Sequence, residues 1–226
     1  FPFMRGGTDS GNNATSNRMV MSGFVSLLPY LEQRALYDQI STPGTYGGQA
    51  WPAWGWRATY PPTSPTSTAC PWTPQVPALN CPSDPQSAAK TLSFWDLGLG
   101  KTNYAFSCGD AAGPIESNTD PRGIFGTIVN ADIAMVRDGT ANTIAMGEIL
   151  TFSGTNVIKG GVYETQGSQF NNTTAPTSCL AYLGANGMYT TGAAERWRGN
   201  VWCEGHAAHC GFTTILPPNG PSCTFW

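Results

Sequence analysis

The densest group of side chains able to do chemistry is Cys203-Glu204-Gly205-His206-Ala207-Ala208-His209-Cys210, which holds both histidines of the chain beside two thiols and a carboxylate. Thiolate and imidazole are zinc ligands, but this spacing matches no standard finger or ribbon. In an oxidising compartment the favoured reading is thiols in disulfides and histidines decorating a loop. A second group, Asp110, Glu116, Asn118 and Asp120, precedes the Gly123-Ile124-Phe125-Gly126 string. Calcium takes six to eight oxygens, which such side chains and loop carbonyls can supply. No EF-hand spacing is present, and the turn-forming composition favours a solvated loop. Trp51, Trp54, Trp56 and Trp72 form a third group. Exposed, these indoles would stack on sugar rings or small solutes; buried, they would pin a long loop against the sheet.

Nucleophilic catalysis finds little footing. There is no Gly-x-Ser-x-Gly elbow, His-Glu-x-x-His or phosphate-cradling glycine loop. Asp84 and Asp96 could serve a glycosidase as a carboxylate pair, but fourteen acidic residues always offer such pairs. The residues therefore read as non-catalytic with no evident cofactor, calcium being the one ion the acidic loop could take.

The elements that would position these groups are short. From Phe24 to Ile40, apolar residues Phe24, Leu27, Leu28, Leu31, Ala35 and Ile40 recur at helical spacing. Pro29 suits a first helical position, so a short turn and then a helix over Pro29 to Ile40 is predicted, ending at Pro43-Gly44. Residues 42–77 carry eight prolines and four tryptophans without periodicity, which reads as a long extended loop inserted in a single domain spanning 1–226. Strands are predicted over Val76 to Asn80, Thr102 to Ser107, Gly123 to Val129, Asn142 to Leu150, Asn156 to Tyr163, Gly199 to Cys203 and Gly211 to Leu216. Asp132 to Arg137 reads as a short helix with its acid at the amino end. A helix followed by many strands gives an α+β fold with an antiparallel sheet, one or two helices and long Pro-, Gly- and Trp-rich loops.

Composition sets the outer limits. The 226 residues can bury a real core, and 40% are apolar, which argues against disorder. Only 11% are charged against a usual share of about 25%, which excludes coiled coils and long solvated helices. The net charge of −3 comes with no basic stripe, so neither nucleic acid nor a polybasic membrane contact is supported. Seven cysteines, Cys70, Cys81, Cys108, Cys179, Cys203, Cys210 and Cys223, point to export and to disulfides of open connectivity. An extracellular, cell-surface or periplasmic location follows from that reading.

Six strings, in order, carry a resemblance. Leu28-Pro29-Tyr30-Leu31-Glu32-Gln33 is followed by Leu79-Asn80-Cys81-Pro82-Ser83-Asp84-Pro85 and Thr102-Asn103-Tyr104. Then come Gly123-Ile124-Phe125-Gly126, Asp138-Gly139-Thr140-Ala141-Asn142-Thr143-Ile144 leading to Gly147-Glu148, and Phe212 to Asn219 with Pro217-Pro218-Asn219. The chain resembles the large planctomycete family of prepilin-like proteins catalogued as a domain of unknown function and also filed under a solute-binding label. The resemblance implies a pilin-like sheet and a relative of type IV pilins or type II secretion pseudopilins. It implies a hydrophobic N-terminal helix preceding Phe1, through which like subunits assemble and which would be the only membrane contact. It implies scaffold roles for the motif residues and no catalytic residue. The expected function is a structural subunit of a surface filament or secretion apparatus. The alternative is an extracellular glycan- or solute-binding module using the Trp-rich loops.

Overall fold

Ser22 shows how local sequence starts the fold: its hydroxyl accepts the Phe24 N–H at 3.2 Å and so caps a helix. The computed structural model describes residues 1–61, 70–87, 98–110, 122–152, 156–165, 177–190, 194–195 and 198–225. Strand β1 (Arg5–Gly6) pairs antiparallel with β2 (Met21–Ser22), and α1 (Gly23–Leu27) follows with Phe24 and Val25 buried. A 3-10 turn, Leu28–Leu31, takes Pro29 in its first turn, and α2 (Arg34–Ser41) comes after it. The predicted continuous helix from Pro29 is thereby divided. Glu32 is left-handed at φ 60, and the N–H groups of Glu32 and Gln33 both turn back to the Leu28 carbonyl, which closes the turn before α2 can begin. Within α2, Leu36 and Ile40 face the core while Arg34 and Asp38 pair outside at 2.9 Å.

The long loop is not uniformly extended. Strands β3 (Gly44–Tyr46) and β4 (Gln49–Trp51) form an antiparallel hairpin closed by Gly47-Gly48, both at positive φ as a tight two-residue turn requires. Residues 62–69 of this segment lie outside the described residues. Strand β5 (Tyr104–Ser107) pairs antiparallel with β6 (Met146–Glu148), with Tyr104 opposite Glu148. Further on come β7 (Val162–Thr165), β8 (Ala194–Glu195), α3 (Ala207–Cys210), β9 (Gly211–Phe212) and β10 (Cys223–Phe225). Strand β9 joins β5 in parallel, β10 joins β7 in parallel, and β8 pairs antiparallel with β7.

The architecture is α+β, with few helices and several small sheets. Some predicted strands take other forms. Pro77 cannot donate to a ladder, and Val76 to Asn80 contains the 3-10 turn Pro77–Leu79 instead. Gly123 to Val129 contributes only a bridge from Thr127 to Arg5, and Gly199 to Cys203 is irregular, held through Gly100 and Thr102. Asp132 to Arg137 becomes the 3-10 turn Ile133–Met135, whose Ala134 and Met135 N–H groups are capped by the Asp132 carboxylate at 2.8 and 3.2 Å.

The core centres on tryptophan. Trp51 lies 4.7 Å from Trp56 and 5.1 Å from Trp72 between ring centroids, and Trp72 lies 6.1 Å from Trp202. Gly55 sits among them, where a Cβ would come within 2.5 Å of the Trp72 ring, so no larger residue fits. Three enclosed indole N–H groups need acceptors, and backbone carbonyls supply them: Ile40 for Trp51, Trp56 for Trp72 and Pro74 for Trp202. A satellite sheet of β7, β8 and β10 is fastened by the Cys179–Cys223 disulfide. Closing a chain separation of 44 residues stabilises the fold by about 4 kcal/mol in the chain-entropy account.

Candidate functional site

Two buried carboxylates organise the polar chemistry. Asp84 follows the Cys81-Pro82-Ser83 turn and is almost fully buried. Its Oδ2 accepts from Asn103 Nδ2 at 2.7 Å, Thr151 N at 2.9 Å and Thr151 Oγ1 at 3.0 Å, while Oδ1 accepts from Gln86 N at 2.9 Å. Burial raises the Asp84 pKa, but these donors outweigh it and hold the carboxyl below its ordinary value. Asn103 at the start of β5 uses both ends of its amide: Oδ1 accepts from Cys81 N at 2.9 Å, and Nδ2 also donates to the Ile149 carbonyl at 2.9 Å. The motifs around Cys81, Asn103 and Glu148 thus meet at one knot.

Lys101 enters the same region fully buried, donating from Nζ to the Gln86 carbonyl at 2.9 Å. Burial lowers its pKa to about 8, against the opposing pull of the Asp84 charge. Sequence reading had no signal for Lys101, Asn103 or Thr151 as a set, because their meeting depends on contacts across the chain.

The second carboxylate is Glu204, within the Cys/His string. Its Oε1 accepts from Thr59 N at 2.8 Å, and Thr59 Oγ1 lies 2.9 and 3.0 Å from the two oxygens. Arg57 Nε stands 4.0 Å from Oε1, His206 Nε2 3.7 Å from Oε2, and Arg57 Nη2 3.4 Å from His206 Nε2. Arg57 stacks over Tyr60 with its Cζ 4.5 Å from the ring centroid. His209 packs its ring 5.7 Å from His206, and Cys210 Sγ points at the Glu204 carbonyl at 3.4 Å. Among the described residues, no set of three or more His, Cys, Asp or Glu side chains is arranged to hold a metal ion.

The remaining groups fall as follows. Trp51, Trp56 and Trp72 are 1%, 3% and 1% exposed, so they do not form the stacking platform that their composition allowed. Trp54 is half-buried, edge-on to Tyr37 at 5.6 Å, because the hairpin folds the segment onto α2. Asp110 is held by a two-point ion pair with Arg122, while Glu116, Asn118, Asp120 and Asp96 lie outside the described residues. Cys179 and Cys223 are bonded; Cys70, Cys108, Cys203 and Cys210 are buried thiols and Cys81 a half-buried one.

The other motif residues build turns. Gly139 takes φ 83, Asn142 Nδ2 donates to the Asp138 carbonyl at 2.9 Å, and Thr143 Oγ1 donates to the Gly139 carbonyl at 3.1 Å. The acceptor for Asn142 is therefore the Asp138 main chain. Thr140 lies inside this exposed turn, and the strand after it starts at Met146. Pro217, Pro218 and Asn219 make a turn closed by Gly220 N to the Pro217 carbonyl at 3.0 Å, with Asn219 left-handed. Leu28 is buried, and Tyr30 projects outward at 84% exposure.

Residues 1–215 match the family described as a protein of unknown function (DUF1559), under the label SBP_bac_10, and the chain belongs to that family. No curated protein and no solved structure matches it.

Proposed function

We propose that the chain is the globular part of an exported, non-catalytic, pilin-like structural subunit that acts at the cell surface, in the periplasm or outside the cell. Like subunits would assemble through a hydrophobic N-terminal helix, without a cofactor. The observation that carries this reading is the employment of the motif residues. Asp84 and Asn103 are buried and spend their hydrogen-bonding capacity on the chain's own loops, as does Glu204 outside the motifs. Such use fits a scaffold rather than an open site.

The outer surface supports the same reading. Strand β6 is the edge of its sheet, and Ile144, Met146 and Leu150, two or four residues apart around it, are 56%, 36% and 44% exposed. Ile133 and Met135 on the 3-10 turn that precedes β6 in the chain are also exposed, and exposed apolar surface marks contact with other molecules.

The test is electron microscopy of sheared surface material from cells expressing the complete open reading frame, with the subunit identified by antibody. Labelled filaments or short pseudopilus-like assemblies are the expected result. A uniformly monomeric protein under all export conditions would overturn the proposal.

A further inference from the structure

Three of the buried thiols lie in one part of the core. The 70–74 segment runs beside 202–204: the Trp72 ring packs on Trp202, the Trp202 indole donates to the Pro74 carbonyl at 3.0 Å, and Gly100 bridges the two main chains from Trp72 O to Trp202 N. Earlier in the same segment, Thr59 is bonded to Glu204 at 2.8 Å, so the Trp-rich segment holds the Cys203 region at two places. Cys70 and Cys203 are 5% and 1% exposed and belong to the same apolar cluster. Cys210 reaches this place from α3, but its Sγ is turned toward the Glu204 and His206 carbonyls at 3.4 and 3.7 Å.

We infer that Cys70 and Cys203 are the site of a second disulfide, made while the chain folds in an oxidising compartment, which staples the Trp-rich segment to the Cys/His string. The inference is independent of the pilin-like reading. A supporting sign is that burial, and after it the charges of Glu204, Cys70 and Cys210, push the Cys203 thiol well above the ordinary cysteine value. Burial also raises the Cys70 thiol. Since the thiolate is the nucleophile, both groups are poorly reactive once enclosed, so the bond must form before the tryptophan core closes.

The chemistry is thiol–disulfide exchange with a small-molecule or protein disulfide as oxidant. One cysteine thiolate attacks the oxidant's disulfide and releases one thiol. The second cysteine thiolate then displaces the mixed disulfide and releases the other. The pair loses two protons and two electrons, and the oxidant's S–S bond becomes two thiols.

The experiment refolds the chain from denaturant in a glutathione redox buffer, blocks free thiols with an alkylating agent, and maps linked peptides without reduction. Cleavage after glutamate separates Cys203 from Cys210, and fragment-ion sequencing separates Cys70 from Cys81 and Cys108, which share its peptide. The expected map shows Cys70 linked to Cys203 alongside the Cys179–Cys223 bond, with Cys81, Cys108 and Cys210 alkylated. Cys203→Ser should abolish the link and leave Cys70 alkylated, and Cys210→Ser should leave it in place. Offering oxidised glutathione to the folded, reduced chain should form the link at least tenfold more slowly. Alkylation of both Cys70 and Cys203 in a chain whose Cys179–Cys223 bond has formed would overturn the assignment, as would linkage of Cys203 to Cys210. Equal rates in the folded and refolding chains would overturn the claim that the bond precedes closure. The wild-type map decides the pairing even where a variant fails to fold.

Discussion

The Asp84 and Glu204 hubs are both buried carboxylates, yet their surroundings differ in kind. Asp84 takes its hydrogen bonds from uncharged donors, the Asn103 amide, the Thr151 main chain and hydroxyl, and the Gln86 N–H, while the buried Lys101 acts on it through charge alone. Glu204 has Thr59 as its close donor and otherwise faces groups that carry or can carry charge, Arg57 at 4.0 Å and His206 at 3.7 Å. A carboxylate filled with short, neutral hydrogen bonds acts as a rigid joint. One facing longer ionic contacts contributes less to holding the chain and more to the local field. The difference teaches that the motif-bearing acid secures loops to β5, whereas the Cys/His string is secured mainly by threonine and tryptophan contacts.

The comparison breaks most sharply at Asp84. Asp84→Ala leaves buried donors from Asn103, Thr151 and Gln86 without their acceptor and should cost about 3–5 kcal/mol in urea unfolding. A loss below about 1 kcal/mol would show that the knot is not a structural joint.

Next in size is the alkaline behaviour of Lys101. Its folded pKa of about 8 lies below the ordinary 10.5, so between these values the unfolded chain binds more protons and stability rises with pH. Relative to Lys101→Met, the wild type should gain about 3 kcal/mol between pH 7.5 and 10.5, read from denaturant midpoints. Asp84 gives the opposite limb. Its depressed carboxyl contributes stability above the unfolded carboxylate range, and that contribution is lost as pH falls through its folded pKa. Asp84→Asn should flatten this acid limb, and an unchanged limb would refute the assignment.

Smaller effects belong to the second hub. Glu204→Gln retains one acceptor for Thr59 and removes the charge facing Arg57 and His206, so it should cost about 1–2 kcal/mol by the same unfolding assay. A loss as large as that of Asp84→Ala would erase the distinction between the hubs. Tyr60→Ala, which removes the ring under Arg57, should cost about 0.5–1 kcal/mol.

Parts of this arrangement were legible in residue order. The Asp132 cap, the positive φ of Gly139 and a strand over Thr102 to Ser107 follow from local rules, and β5 lies inside that span. The division at Glu32 was not legible, since a charged residue in a left-handed conformation carries no strong local signature. Nor was the Gly47-Gly48 hairpin distinguished from its proline-rich surroundings. In the candidate site, the string 203–210 was visible by composition, but Arg57 and Thr59 were not. They lie far away in sequence and meet Glu204 only through the fold.

What the sequence determined by itself was the α+β class, a proline-marked helical region, the turn chemistry and membership of a family through motifs in order. These depend on dihedral preferences, spacing and side-chain type, which act over a few residues. Tertiary structure alone decided that three of four tryptophans of the long loop are core, that Lys101 is enclosed, and that Cys70 belongs beside the Cys203 region. Burial and partnership between distant residues arise from the packing of the whole chain, so the same indole or thiol can be surface chemistry or internal structure until the fold places it.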